Sequence, residues 1–249
     1  MISLEDPTTL SLLFHLNSEP WLNDEAYKGA AINQELKIPA GVIAEVPLPQ
    51  PGESALTELL GRRYSCREFA RREMPLEQVA SLLFASYGAI APARFSGQTA
   101  FLRRTVPSAG GLFPLELYAF TQRVQGLDDG LYHYDVVANS LHQLHRGNLW
   151  ATLEPIFYTY PFMKDANLVV AMAAVFLRTQ KKYGPRGYRY MLMEAGHVAQ
   201  NLSLRASELG LATLCMGGFL DSVLNELLVL KPKEEGVIYT VAAGFDANT

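Results

Sequence analysis

The run "ANLVVAMAAVFL" at 166–177 constrains this chain more than any other stretch. It falls short of the roughly 20 apolar residues that a membrane-spanning helix needs, so it reads as a buried strand. The chain has the material to bury it: 249 residues, of which 49% are hydrophobic and 18% charged, can form a substantial core. A formal charge of −4 without any basic block offers little of the phosphate attraction that nucleic-acid binding draws on, so no nucleic-acid partner is expected. Glu5 and Asp6 precede the first apolar patch where a signal peptide would carry a basic start, and no small-residue cleavage site follows; a cytoplasmic protein with no membrane partner is expected. Cys66 and Cys215 stand alone in sequence, which speaks against disulfides and structural zinc.

Around that strand the sequence divides in two. Residues 1–53 form an N-terminal extension ending in "IPAGVIAEVPLPQPGE", whose prolines stop a helix from propagating and predict an extended connector. From 54 to 249 the pattern is regular. "SALTELLGRR" predicts a short helix, and "PLEQVASLLFASYG" a longer one opening at Pro75, stopping at Gly88 and burying Leu76, Val79, Leu83 and Tyr87. A polar stretch at 91–106 follows, then a strand over 115–124 and a hairpin "GLYHYDVVANSLHQLH" turning at Ala138-Asn139. "NLWATLEPIFYTY" predicts a helix, and a long helix over about 185–209 is closed by Gly210. Along that helix Leu192, Ala195, Ala199, Leu202, Ala206 and Leu209 recur at near-helical spacing, and Ala195, Gly196 and Ala199 would let another helix approach closely, within the fold or across a dimer. "ATLCMGG" and "GVIYTVAAGF" read as strands separated by the helix "DSVLNELLVL". This order indicates an α+β domain with helices packed on a mixed sheet.

Three segments have the composition of a binding site. "RRYSCREF" alternates Arg63, Ser65 and Arg67, so an extended backbone projects two guanidinium groups and a hydroxyl from one face, a cradle for phosphate. A basic turn after a helix C-terminus is the alternative. "VPSAGGLFPLELY" sets Pro107, Ser108, Ala109 and Gly110 ahead of a strand, where backbone amides can approach a flat ligand; a plain tight turn has the same composition. "CMGGF" places Met216, Gly217 and Gly218 at the end of another strand. A fourth segment, "KKYGPRGY", gathers Lys181, Lys182, Arg186 and Arg189 around two tyrosines, either as a solvated loop or as a proton-handling site. Glu194, His197, Gln200 and Asn201 follow within about a turn of one another and predict a buried, mutually hydrogen-bonded patch. No His/Cys/Asp/Glu set has metal spacing, and His133, His142 and His145 read as surface or pairing residues of the hairpin. No Gly-x-Gly-x-x-Gly follows a strand, so a dedicated Rossmann NAD site is not indicated.

Taken in order, these segments resemble the nitroreductase-like flavoproteins. More narrowly, they resemble the SagB-type dehydrogenases that oxidise thiazolines and oxazolines in peptide natural-product assembly. "RRYSCREF", "PSAGGLFPLELY", "GLYHYDVVANSLHQL", "KKYGPRGYRYMLMEAGHVAQNLSLRASELGLAT" and "GGF", spread over about 54–244, carry the resemblance. It implies a nitroreductase-like fold with FMN at the interface of a homodimer. Arg63, Ser65 and Arg67 match the motif that holds the phosphate and the pyrimidine side of the ring, and Pro107, Ser108, Ala109 and Gly110 match a loop reaching the flavin from the second subunit. Met216, Gly217 and Gly218 match the backbone near flavin N5. Many relatives add a C-terminal Lys or Arg for the phosphate; "VAAGFDANT" offers none.

Azoline oxidases of this branch carry a Lys-Tyr pair where this chain has Lys182 and Tyr183. The resemblance implies that Tyr183 removes the proton next to the carbonyl, assisted by Lys182, while hydride leaves the neighbouring ring carbon for flavin N5. A phenol is a poor base near neutrality unless a nearby cation favours its ionised form. The substrate implied is a peptide intermediate on a synthetase carrier domain or a ribosomal precursor peptide. Two other readings remain open at this point: an NAD(P)H-dependent reductase of nitroaromatics or quinones, and a non-catalytic docking partner in a biosynthetic complex.

Overall fold

Strand β9 (Leu168–Val175) is the apolar run, and it lies inside the sheet with β11 (Glu235–Asp246) on one side and β5 (Leu115–Thr121) on the other. The computed structural model describes residues 9–19, 39–95 and 98–249. Alternate side chains of β9 serve two cores. Leu168, Val170, Met172 and Ala174 join one cluster, Val169, Ala171 and Ala173 the other, and all are fully buried. A strand covered on both faces reads as a continuous apolar run, which is why its sequence shows no polar alternation.

The main sheet continues beyond β5 through β7 (Gly130–Asp135) and β8 (Ser140–Arg146), and at the other edge β11 pairs with both β1 (Phe69–Ala70) and β10 (Ala212–Met216). These named pairings are antiparallel. Parallel pairing occurs between β2 (Met74–Pro75) and β6 (Val124–Gln125) and at a bridge from Ser65 to Thr213.

Helix α1 is Thr9–Asn17, α2 Ala55–Arg62 and α3 Leu76–Tyr87. Helix α3 packs along the long helix α6 (Arg186–Glu208) to cover one face, and α4 (Trp150–Ile156) and α7 (Asp221–Leu227) cover the other. The α2 hydroxyl cap is Ser54, which accepts from Thr57 N–H at 3.1 Å. The hairpin turns at Asn139, whose φ of 49° is the left-handed conformation that asparagine tolerates. The described part of the connector, residues 39–53, is exposed and contains neither helix nor strand. Among the described residues no helix is long and apolar enough to cross a membrane.

Several expectations need correction. The stretch 91–106 belongs largely to a hairpin, β3 (Ala89–Phe95) and β4 (Gln98–Arg104), whose pairing overrides a weak strand pattern. The helix expected over 185–209 is preceded by a separate one, α5 (Phe176–Tyr183), which takes Phe176 and Leu177 from the end of the predicted strand. Gly184 ends α5 at φ 57°. Lys181 and Lys182 therefore occupy a last helical turn rather than a loop, where the helix dipole favours cations. Leu192 is 39% exposed instead of lining the buried stripe, because the interior register of α6 runs through Met191, one residue earlier. Ala195 and Ala199 are consumed by packing inside the chain, whereas Gly196 faces outward.

Helix α1 docks against α5, α6 and α7. His15 Nδ1 and Tyr188 Oη lie 3.0 Å apart, and Gln180 Nε2 donates to Ser11 Oγ at 2.7 Å. Just beyond the helix, Glu19 accepts from Ser222 N–H and Oγ at 3.0 and 2.8 Å.

Candidate active site

The predicted site residues form two groups. In the first, α2 ends at Arg62 and the chain runs extended through Arg63, Ser65 and Arg67 beside β10. Cys66 N–H donates to Thr213 O at 2.9 Å, and the Cys66 side chain is 1% exposed, which anchors the segment from within. Ser65 and Arg67 are left exposed and Arg63 half-buried. Arg62 is committed elsewhere, to Glu58 at 3.1 Å and to Ser207 O at 3.1 Å. Arg63 and Arg67 form no ion pair among the described residues; Arg67 Nη1 donates only to Ser65 O, at 3.4 Å.

The same strand β10 delivers Met216, Gly217 and Gly218. Met216 is fully buried, and its carbonyl accepts from Thr240 Oγ1 at 2.9 Å. The chain then surfaces at Gly217 and passes Gly218, whose carbonyl accepts from Thr159 Oγ1 at 3.4 Å. Tyr239 lies alongside, its phenol pushed up to about 12 by burial and by Cys215. Both "RRYSCREF" and "CMGGF" are thus held on one strand.

The second group comes from the register of the sheet. Leu115 pairs with Ala174 and Val175 N–H donates to Pro114 O at 2.9 Å, so the loop entering β5 lies beside the helix leaving β9. Gly110 turns with φ 64° and Gly111 with φ 66°. A β-carbon on Gly110 would fall 2.7 Å from Tyr183 Oη and 2.8 Å from Lys182 Nζ, so both functional atoms converge on that turn. Lys182 Nζ also lies 5.3 Å from the centroid of the Tyr183 ring, which packs T-shaped with the Tyr190 ring, centroids 5.1 Å apart. The three heavy atoms nearest that β-carbon position belong to Tyr183 and Lys182.

The turn is held on two sides. Arg178 Nη1 donates to Phe113 O at 3.0 Å while Nη2 pairs with Glu116 at 2.7 Å. Glu116 also meets His133 Nε2 at 2.8 Å; burial raises its carboxyl, but His133 and Arg178 outweigh that and hold it below the ordinary value. His133 and His142 are thus pairing residues, the latter 3.7 Å from Asp135, and His145 is exposed. On the inner side Tyr87 Oη donates to Glu194 at 2.7 Å, and the Arg104 guanidinium sits 4.3 Å over the Tyr87 ring and 4.7 Å over that of Phe113.

The buried polar patch expected on α6 is only partly there. Glu194 is 2% exposed and Asn201 caps Ala85 O and Thr105 O at 3.3 and 3.1 Å, but His197 and Gln200 face solvent, since their helical angle carries them off the interior side. Sequence reasoning missed Tyr87 and Arg104. The one available signal was a tyrosine ending an aliphatic stripe, whose hydroxyl must find a partner once buried. Among the described residues no cluster could hold a metal ion.

A sheet sandwiched between helices, with an arginine–serine–arginine segment stitched to one strand and a glycine turn facing a Lys-Tyr pair, defines a nitroreductase-like α+β protein. The chain belongs to the nitroreductase family, whose model matches residues 60–245. It is 36% identical over 191 residues to a Methanocaldococcus jannaschii protein named Putative nitroreductase MJ1384, covering 77% of this chain and 92% of that protein. It is 26% identical over 134 residues to the Escherichia coli Microcin B17-processing protein McbC, covering 52% of this chain and 49% of that one; it therefore spans about half of that relative's length. Among solved structures, the E. coli microcin synthetase McbBCD complex with truncated pro-MccB17 bound contains a chain that superposes with a TM-score of 0.75. That likeness covers 98% of this chain and 94% of that one at 19% identity, and it establishes the shared fold.

Proposed function

We propose that this protein is an FMN-dependent dehydrogenase that oxidises a thiazoline or oxazoline in a carrier-bound or ribosomal peptide intermediate to the thiazole or oxazole. Residues 54–249 form the FMN-binding domain and 1–53 an extension. The observation that carries the reading is the convergence of Tyr183 Oη and Lys182 Nζ on the Gly110 turn. A merely solvated lysine and a packing tyrosine have no reason to meet there.

The residues present fit a phosphorylated, flat ligand. Arg63 and Arg67 are guanidinium groups without ion pairs among the described residues, the space beside the α-carbon of Gly111 is open, and Gly217 presents exposed backbone without a side chain. Arg63, Ser65 and Arg67 would hold the phosphate end; Pro107, Ser108, Ala109 and Gly110, with Met216, Gly217 and Gly218, would flank the ring. Bound FMN supplies a two-electron acceptor for hydride. Tyr183 takes the proton from the ring carbon next to the carbonyl, assisted by Lys182. Aromatisation makes the loss of proton and hydride from one C–C bond downhill.

Among the described residues no hydrogen bond or ion pair joins the arginine and "CMGG" group to the Gly110–Lys182–Tyr183 group. This supports a site completed across a homodimer, each flavin held by one subunit's arginines and faced by the partner's turn. The similarity to a microcin-processing protein supports a peptide substrate. The similarity to MJ1384 favours a second reading, a reductase that draws electrons from NAD(P)H and passes them to nitroaromatics or quinones. Incubation with a carrier-bound thiazoline, read by mass spectrometry, separates them. Loss of two hydrogens is expected, and an unchanged mass together with rapid NAD(P)H-driven nitro reduction would overturn the first reading.

A further inference from the structure

Glu194 occupies the interior of α6 and is 2% exposed. Tyr87 Oη donates to Glu194 Oε1 at 2.7 Å and accepts from Leu115 N–H at 3.2 Å. The Ser108 hydroxyl accepts from Phe113 N–H at 2.9 Å and faces the same carboxylate. One relay therefore runs from the Leu115 amide through the Tyr87 hydroxyl to Glu194. Ser108 precedes the turn, while Phe113 and Leu115 follow it, so the Ser108–Phe113 bond closes the segment that presents Gly110 and the relay to Glu194 holds its far end.

We infer that Glu194 is a positioning residue for the dehydrogenation, holding the 108–115 turn so that Gly110 meets Tyr183 Oη and Lys182 Nζ. The inference rests on the reading of Lys182 and Tyr183 as the reacting pair. The groups facing Glu194 are Tyr87 from α3, Ser108 from the turn, Arg104 from β4 and His197 from its own helix. Burial raises its pKa in spite of the hydrogen bonds from Ser108 and Tyr87 and the charges of Arg104 and His197, which lower it. Burial, together with the Glu194 charge, keeps Tyr87 protonated and hence a donor. A carboxyl raised on folding stabilises the protein below its unfolded pKa, and that contribution is lost as pH rises through the folded one. Wherever Glu194 is ionised, that form is therefore held at a cost in stability. Glutamine removes the cost but presents one acceptor and one donor where the carboxylate turns two acceptors toward Tyr87 and Ser108.

The test compares the parent with Glu194→Gln. The variant should unfold at the parent's temperature or above at neutral pH, with the gap closing as pH falls. Amide exchange at Phe113 or Leu115 should speed up, and kcat should drop about tenfold to a hundredfold with KM changed less. Ser108→Ala should speed exchange at Phe113 alone, and Tyr87→Phe at Leu115 alone. Unchanged exchange in all three variants overturns the tether, whatever the reaction. A Glu194→Gln protein that unfolds well below the parent, or that turns over at the parent's rate, overturns the positioning role. A parent that oxidises no azoline overturns the proposed function and the positioning role with it, while exchange at the two amides still reads the tether by itself.

Discussion

Gly110 and Tyr183 meet so closely that a β-carbon on the glycine would stand 2.7 Å from the phenolic oxygen. Gly110→Ala should therefore do two things. Its φ of 64° costs an L-residue about 1–2 kcal/mol, and the methyl group displaces Tyr183 and Lys182. Activity should fall by about a hundredfold or more, beyond what the modest drop in unfolding temperature explains. Parent-like turnover would mean the contact has no bearing on reaction.

Tyr183→Phe keeps the ring and its edge contact with Tyr190 but removes the phenolic oxygen. Flavin content should be retained, and azoline oxidation should slow by about 10²–10⁴-fold, the range of a general base. Lys182→Ala should also lose activity. Lys181→Ala should do little, because it is Lys182 whose Nζ closes on the turn, 2.8 Å from a Gly110 β-carbon. Equal effects of the two lysine variants would point to a general electropositive field instead.

Arg63→Ala combined with Arg67→Ala should strip the flavin. Each charge-assisted contact is worth about 1.5–3 kcal/mol, so the pair should weaken binding by at least about a hundredfold. Absorbance of the purified variant gives the answer, and full flavin retention would place the phosphate elsewhere.

The proposed completion of each site across a homodimer leads to a complementation experiment. Mixing Tyr183→Phe subunits with Arg63→Ala/Arg67→Ala subunits should restore activity, since each mixed dimer would carry one intact site. If all site residues came from one subunit, mixing would restore nothing.

The docking of α1 should respond to pH. Burial and the nearby Glu19 charge push Asp221 up to about 7. A raised carboxyl contributes stability below its unfolded value of 3.8 that is lost as pH rises through about 7. Asp221→Asn should therefore gain on the parent in unfolding temperature between pH 5 and roughly pH 8. His15, 3.9 Å away and lowered by burial, acts in the opposite sense at the acid end. A pH-independent difference between parent and variant would refute the assignment to Asp221.

Much of this was legible in the chain. The length and apolarity of 166–177 demanded a buried strand, the Pro75-to-Gly88 pattern fixed α3, and the left-handed preference of Asn139 fixed the hairpin. The arginine–serine–arginine spacing and the glycine-bearing segments carried the family resemblance, and the family match over 60–245 bears it out. These features are local: neighbours along the backbone decide periodicity, turn chemistry and the face a side chain takes.

The sequence by itself determined the elements, the family and which residue types were available for chemistry. Only the tertiary structure decided which of them meet. The pairing of Leu115 with Ala174 sets the loop before β5 against the helix after β9 and so brings Gly110 to Lys182 and Tyr183. The same packing turns Tyr87 from a core residue into a ligand of Glu194 and sends His197 outward. Such meetings depend on sheet order and register, which are settled by the burial of both faces at once and leave no local mark on the residues they bring together.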